Sequence, residues 1–127
     1  MKKVLIVDDN PVNLKLFQYA LKPVQAEFTV ARDGNEAIEK ISSERPDLVI
    51  LDIQIPGISG LEVAKRVKSD PELKDTILVA VTAYSMEGDK QKILAAGCDW
   101  YISKPIDTRA FPQVIQRFLD GEGPPEN

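Results

Sequence analysis

The sequence predicts an α/β domain, a doubly wound five-stranded parallel sheet with five helices, and three observations carry that expectation. First, Val4-Leu5-Ile6-Val7, Leu48-Val49-Ile50-Leu51, Ile77-Leu78-Val79-Ala80-Val81 and Tyr101-Ile102-Ser103 are short runs rich in Val, Ile and Leu. Strands buried on both faces of a parallel sheet read this way. Second, helix-period segments alternate with these runs from end to end, the pattern of repeated βαβ units. Third, each run leads into a residue able to do chemistry: Asp8-Asp9, Asp52, Thr82 and Lys104. In such sheets ligands bind in the crevice beyond the carboxyl ends of the strands.

The elements follow in order. After the first run, Asn10-Pro11 reads as an N-cap followed by proline at the first helical position, with the helix running to about Lys22, where Pro23 stops it. A shorter strand spans about 28–31, and Asp33 to Glu36 forms an acidic variant of the capping box before a helix carrying Ala37, Ile38 and Ile41 on one face. Pro46 delivers the chain to the strand at 48–52. Residues 54–58 form a loop with a Pro56-Gly57 turn. Ser59 to Glu62 is a capping box opening a helix whose apolar stripe is Val63, Ala64 and Val67. After the strand at 77–82, Ser85 is expected to cap a fourth helix ending near Gly97. A fifth shows Phe111, Val114, Ile115, Phe118 and Leu119 at helical period. Pro112 predicts a late or irregular start to it, because past the first turn proline removes a hydrogen bond and clashes.

Residues 1–120 are expected to form one domain and residues 121–127 a flexible polar tail, with no internal repeat. Five strands in strict alternation with helices suggest the flavodoxin-like order 2-1-3-4-5, which puts the first and third strands side by side and Asp8, Asp9 and Asp52 in one crevice.

Composition narrows the function. Among 127 residues, acids outnumber bases 20 to 16, for a net charge of −4. That is not the basic footprint of a nucleic-acid binder, and no direct nucleic-acid contact is expected. No apolar run is long enough for a membrane span or a signal-peptide core. The single cysteine, Cys98, is expected to be a small buried residue and fits a reducing cytoplasm. With no histidine and one cysteine, a zinc site is excluded. Any metal must be held by oxygen: Mg²⁺, Mn²⁺ or Ca²⁺.

Taken singly, each strand-end residue has a simple explanation. Asp8 or Asp9 could support the following helix N-terminus, Asp52 a turn, Thr82 a strand, and Lys104 a solvated loop. Together they demand more. At an effective dielectric near 20, two like charges roughly 4 Å apart repel by about 4 kcal/mol. Three carboxylates must bind a cation, share a proton or splay apart. Mg²⁺ fits, since it binds through one or two carboxylates and leaves positions for phosphate oxygens. A carboxylate beside it can attack phosphorus, and an ammonium such as Lys104 supplies further charge neutralisation.

These motifs resemble the receiver domains of two-component response regulators over essentially all of residues 3–119. The acidic pair after the first strand, the aspartate in the segment Leu51-Asp52-Ile53-Gln54-Ile55-Pro56-Gly57, the Thr82-Ala83 step and Lys104-Pro105 occur in the family's order. The resemblance implies that Asp52 is the phosphoacceptor. It implies that Asp8, Asp9, Asp52 and the backbone carbonyl of Gln54 bind Mg²⁺, and that Thr82 and Lys104 contact the phosphoryl group. It further implies a cis bond before Pro105 and a switch formed by Thr82 and Tyr101. Ile55, where methionine or leucine is common, is a conservative departure; Pro112 lies on the face that family members use for output.

Function follows as expectation. The chain is a stand-alone, phosphorylation-dependent switch, with residues 13–17, 58–63 and 79–86 similar to a bacterial cell-cycle type. It is a signalling protein rather than an enzyme. Its partners are a histidine kinase or histidine phosphotransfer protein, since it holds no histidine itself, and a downstream protein bound through the strand 4/helix 4/strand 5/helix 5 face. It is a monomer or a phosphorylation-dependent dimer. An alternative is an intermediate carrier in a phosphorelay. A phosphatase of the haloacid dehalogenase class is disfavoured, because Gln54 and Asn10 stand where a second aspartate is typical. A flavodoxin-type FMN carrier is disfavoured because Asp8 and Asp9 would repel a bare phosphate. The first helix has two apolar rows, Leu14, Phe17 and Leu21 beside Val12, Leu16 and Ala20. They predict either a broadly buried helix or an edge that docks a helical partner.

Overall fold

The computed structural model describes residues 1–83 and 87–124. Ser85, the expected cap of the fourth helix, and residues 125–127 of the tail lie outside them. The strands are β1 (Lys3–Val7), β2 (Glu27–Ala31), β3 (Leu48–Asp52), β4 (Ile77–Thr82) and β5 (Trp100–Ser103). The helices are α1 (Pro11–Ala20), α2 (Gly34–Glu44), α3 (Gly60–Ser69), α4 (Glu87–Ala95) and α5 (Ala110–Leu119). All strand pairs are parallel, in the order β2-β1-β3-β4-β5.

Two cores lie on opposite faces of the sheet. Leu5, Val7, Val49, Leu51, Leu78 and Ala80 face the side of α2, α3 and α4. Val4, Ile6, Leu48, Ile50, Val79 and Val81 face α1 and α5. Successive strand side chains point to opposite faces, so a strand covered on both sides must be apolar throughout. Every residue of β3 is buried, while edge strand β2 alternates exposed and half-buried positions before ending at buried Ala31. Burying each Val, Leu or Ile side chain contributes about 1.5–3 kcal/mol. The rings of Phe17 and Phe111, 5.6 Å apart, join α1 to α5.

The caps explain the helix starts. Asn10 Oδ1 accepts hydrogen bonds from the N–H groups of Val12 and Asn13. Asp33 accepts from Glu36 N, while Glu36 Oε1 reaches back to Arg32 N, one residue beyond the usual capping-box partner. Ser59 Oγ accepts from Glu62 N. Helix α1 stops at Ala20, two residues before the expected Lys22, because a residue preceding proline is pushed out of the helical region. Proline does not disturb α5. Helix α5 begins at Ala110, so Pro112 falls in its first turn, where its missing N–H has no intrahelical partner to lose; just before it, Asp107 Oδ1 accepts from Arg109 N and Ala110 N. Those same two hydrogen bonds hold the Asp107 carboxyl below its ordinary value.

Helix α1 buries Leu14, Phe17 and Ala20, with Leu21 just beyond it, while Val12 is 73% and Leu16 37% exposed. The expected broad burial is therefore corrected. One helix laid on a sheet beside α5 offers the core only one face; of the second apolar row Ala20 is buried, while Val12 and Leu16 meet solvent.

At the amino ends of β4 and β5, Lys68 Nζ donates to Lys74 O, Thr76 O and Asp99 Oδ2 at 3.1, 2.7 and 3.2 Å. Asp99 Oδ2 also accepts from Leu78 N at 2.8 Å. Gly97 makes room for this lysine: it has φ +109°, and a Cβ there would lie 2.5 Å from Lys68 Cγ. Cys98 beside it is a buried free thiol. At this same end of the sheet, Met1, Lys2, Gln25, Gln116, Leu119 and Asp120 surround one shallow hollow, so the start of β1 and the end of α5 are neighbours.

Candidate functional site

The parallel register places the carboxyl ends of β1, β3 and β4 side by side, with Val7 opposite Leu51 and Asp52 opposite Val81. Asp8, the first residue past β1, is fully buried; Asp52, the last of β3, is 4% exposed; Asp9 is exposed. One carboxylate oxygen from each of the three lies within 4.8 Å of the others. Thr82 ends β4 fully buried, and its carbonyl accepts from Lys104 N at 2.8 Å. That bond carries the Lys104 side chain over the crevice. The Lys104-Pro105 peptide bond is cis.

Short local hydrogen bonds orient the acids. Asp8 Oδ1 accepts from Asn10 N and Asp52 Oδ1 from Gln54 N, both at 2.9 Å, each an aspartate tied to the backbone two residues on. Lys104 Nζ donates to Asp52 Oδ2 at 2.9 Å. It stands 3.7 Å from Asp8 Oδ2, close enough for attraction but beyond hydrogen-bond length. Asp8 Oδ2 is therefore buried with no hydrogen-bond partner. Burial, with the nearby charge of Asp52 adding to it, pushes the Asp8 carboxyl above its ordinary value. The bond from Asn10, the Lys104 charge and the nearby Asn13 side chain oppose that rise.

Glycine permits the close packing below the site. A Cβ on Gly60 would lie 2.7 Å from Asp52 O, so α3 could not begin against the end of β3 with any other residue there. Gly60 N donates to Ile53 O.

Three carboxylates face one ammonium, an excess of two negative charges when all are ionised. Three clustered carboxylates, one of them with a buried orphan oxygen, fit a small hard cation that takes oxygen ligands and keeps some water. The structure thus brings Asp8, Asp9, Asp52 and Lys104 together, with Thr82 on the adjoining strand. Tyr101 lies apart from them, half-buried opposite Ala80 and two residues before Ser103, the partner of Thr82. Its ring lies 5.6 Å from that of Trp100 and 5.3 Å from Lys90 Nζ.

Sequence reasoning did not single out Asn13. It helps hold the Asp8 carboxyl down and, with Leu16, Phe17, Lys104, Pro105 and Ile106, lines an apolar hollow of about 280 Å³ beside the site. An asparagine inside an apolar-rich helix, where it is a poor helix former, was the available signal.

Comparison with known proteins agrees with this geometry. The chain is 44% identical over 118 residues to the polar-differentiation response regulator DivK of Brucella anthropi, covering 93% of this chain and 96% of that protein. Among solved structures, a CheY-like response regulator receiver domain protein from Methanospirillum hungatei JF-1 superposes with a TM-score of 0.86 and 29% identity, covering 96% of each chain. The receiver domain of the sensor histidine kinase PA1611 from Pseudomonas aeruginosa PAO1 superposes with a TM-score of 0.85 and 25% identity over 94% of this chain and 98% of that one. That structure holds a magnesium ion coordinated in its active-site cleft. The model of the response regulator receiver domain matches residues 4–116. The chain therefore belongs to the response regulator receiver domain family.

Proposed function

We propose that this receiver domain, the unit of residues 1–120, is a switch that accepts a phosphoryl group on Asp52. The donor is the phosphohistidine of a histidine kinase or histidine phosphotransfer protein. The observation that carries this reading is the pairing of Asp52 Oδ2 with Lys104 Nζ inside a crevice that still has an excess of carboxylate. An oxygen of Asp52 attacks phosphorus, the P–N bond breaks, and the imidazole leaves with the electron pair and takes up a proton. The reverse path to rest is attack of water on the acyl phosphate, releasing inorganic phosphate.

Asp8, Asp9 and Asp52, with the backbone carbonyl of Gln54, would hold Mg²⁺. When bound, that ion would neutralise charge on the phosphoryl oxygens. Lys104 holds a second positive charge against the same group. Thr82, at the end of β4, would donate its hydroxyl to a phosphoryl oxygen. Phosphorylation adds about two negative charges at the end of β3. Thr82 moves toward that charge, Tyr101 turns inward behind it, and the β4-α4-β5-α5 face changes its preference for a downstream protein. No helix among the described residues is long and apolar enough to cross a membrane. The buried free thiol of Cys98 fits a cytoplasmic setting.

Incubation with acetyl phosphate and Mg²⁺, followed by intact-mass measurement, tests the acceptor. Wild type gains the mass of one phosphoryl group and Asp52→Asn gains none. An adduct that persists in the variant removes Asp52 from this role.

A further inference from the structure

We infer that Lys90 of α4 is a latch on Tyr101, holding its ring outward until phosphorylation pulls it free. The inference rests on the switch reading of Tyr101 and adds to it a residue outside the crevice. Three observations carry it. Lys90 Nζ lies over the Tyr101 ring, 5.3 Å from its centroid, within the range at which an ammonium is attracted by the ring's electron-rich face. The Trp100 ring, tilted 35° and 5.6 Å away, gives the ring a second neighbour, so Tyr101 occupies a defined position. Across the strand pair Tyr101 faces Ala80, and Thr82 lies two residues further along β4 on the same side of the sheet. Tyr101 is thus near enough to Thr82 to respond to it and is held on its outer side by α4. A ring moving inward must leave the ammonium, so the contact favours the resting state alone. Only such a differential contact can shift a two-state equilibrium.

The strength of an exposed cation–π contact corresponds to a population bias of about two- to fivefold. Replacing Lys90 by glutamine removes the charge and nearly keeps the length. Replacing it by arginine keeps a cation able to stack on the ring.

The test uses the full chain with fluorotyrosine at its three tyrosines and ¹⁹F NMR, the Tyr101 line being assigned with Tyr101→Phe. Wild type, Lys90→Gln and Lys90→Arg are each measured in Mg²⁺ alone and in Mg²⁺ with beryllofluoride, a phosphoryl mimic. In Mg²⁺ alone, Lys90→Gln shifts the line toward the beryllofluoride position, with an inward population about two- to fivefold larger, while Lys90→Arg matches wild type. By linkage, half-saturation by beryllofluoride falls by the same factor in Lys90→Gln. A higher half-saturation in Lys90→Gln overturns the latch, since that is what losing a positive charge near an anion would produce. An unmoved Tyr101 line in Lys90→Gln, with wild type still answering beryllofluoride, overturns the latch and leaves the switch standing. A Tyr101 line that ignores beryllofluoride in wild type overturns the switch itself, and the latch with it.

Discussion

The two ends of the sheet each hold a lysine of similar burial, and the lysines do opposite things. Lys68 and Lys104 have side chains 22% and 24% exposed. At the amino ends of β4 and β5, two of the three acceptors of Lys68 are backbone carbonyls with a fixed place in the fold. Its one carboxylate, Asp99, is also occupied by Leu78 N. At the carboxyl ends, Lys104 meets two carboxylates, one of which has an oxygen with no hydrogen-bond partner. The first lysine completes a closed set of partners, while the second only partly neutralises an open one. Exchangeable chemistry belongs to the second kind, because a bound cation can take over part of the neutralisation that the lysine supplies there.

Breaking each lysine in turn tests that contrast most severely. Lys68→Met costs about 2–4 kcal/mol, as several charge-assisted hydrogen bonds are lost and their acceptors stay behind. The measurement is urea unfolding followed by the fluorescence of Trp100, the only tryptophan. Saturating Mg²⁺ leaves the gap from wild type unchanged. Lys104→Met costs about 1–2 kcal/mol without metal, and Mg²⁺ narrows that gap, because the ion replaces the missing charge. Equal Mg²⁺ responses in the two variants would erase the distinction.

Smaller effects follow from the neighbours. Gly97→Ala forces a side chain into a left-handed backbone and against the Lys68 stem, at a cost of about 2 kcal/mol by thermal melts. The acids diverge in sign. The folded-state value of Asp8 is raised, so its penalty is absent at pH below the unfolded value of 3.8 and develops as pH rises through the folded value. Asp8→Asn therefore stabilises the metal-free protein by about 1–2 kcal/mol at pH 7, and the gain fades toward pH 4. Asp99→Asn destabilises by a similar amount at pH 7. The smallest perturbation reads the amino end directly. Burial, then the Asp99 charge, push the Cys98 thiol up to about 12. At pH 8 an aromatic disulfide reagent should label it roughly 10³-fold more slowly than in urea, and Lys68→Met, which removes the one charge opposing that rise, should slow the labelling further.

What could be read from the sequence depended on how local the cause was. Continuous Val, Ile and Leu runs announced β1, β3 and β4, since strands covered on both faces admit few other residues. The strand-end acids were visible for the same reason: each breaks such a run at its carboxyl end. Caps at Asn10, Asp33 and Ser59 were legible because their partners lie within four residues. Pro112 read as a disturbance because no side-chain cap marks the start of α5 at Ala110, and the Asp107 hydrogen bonds that order the preceding turn lack the spacing of a capping box. Lys68 was invisible for another reason. One of its partners, Asp99, lies 31 positions away, and nothing in a helix-surface lysine says that it will reach across to a strand. The exposed row of α1 was misjudged because apolar period reports a face, while its partner is chosen only by the tertiary fold.

One consequence of the layout is practical. Met1 and Lys2 share a hollow with Leu119 and Asp120, at the opposite end of the sheet from the acidic crevice. A strand of five residues puts roughly 17 Å between the two ends. Domains whose first and last elements lie together tolerate insertion into a host loop. This domain could therefore be grafted into a reporter, or tethered to a surface by both ends, with its carboxylate crevice facing freely outward.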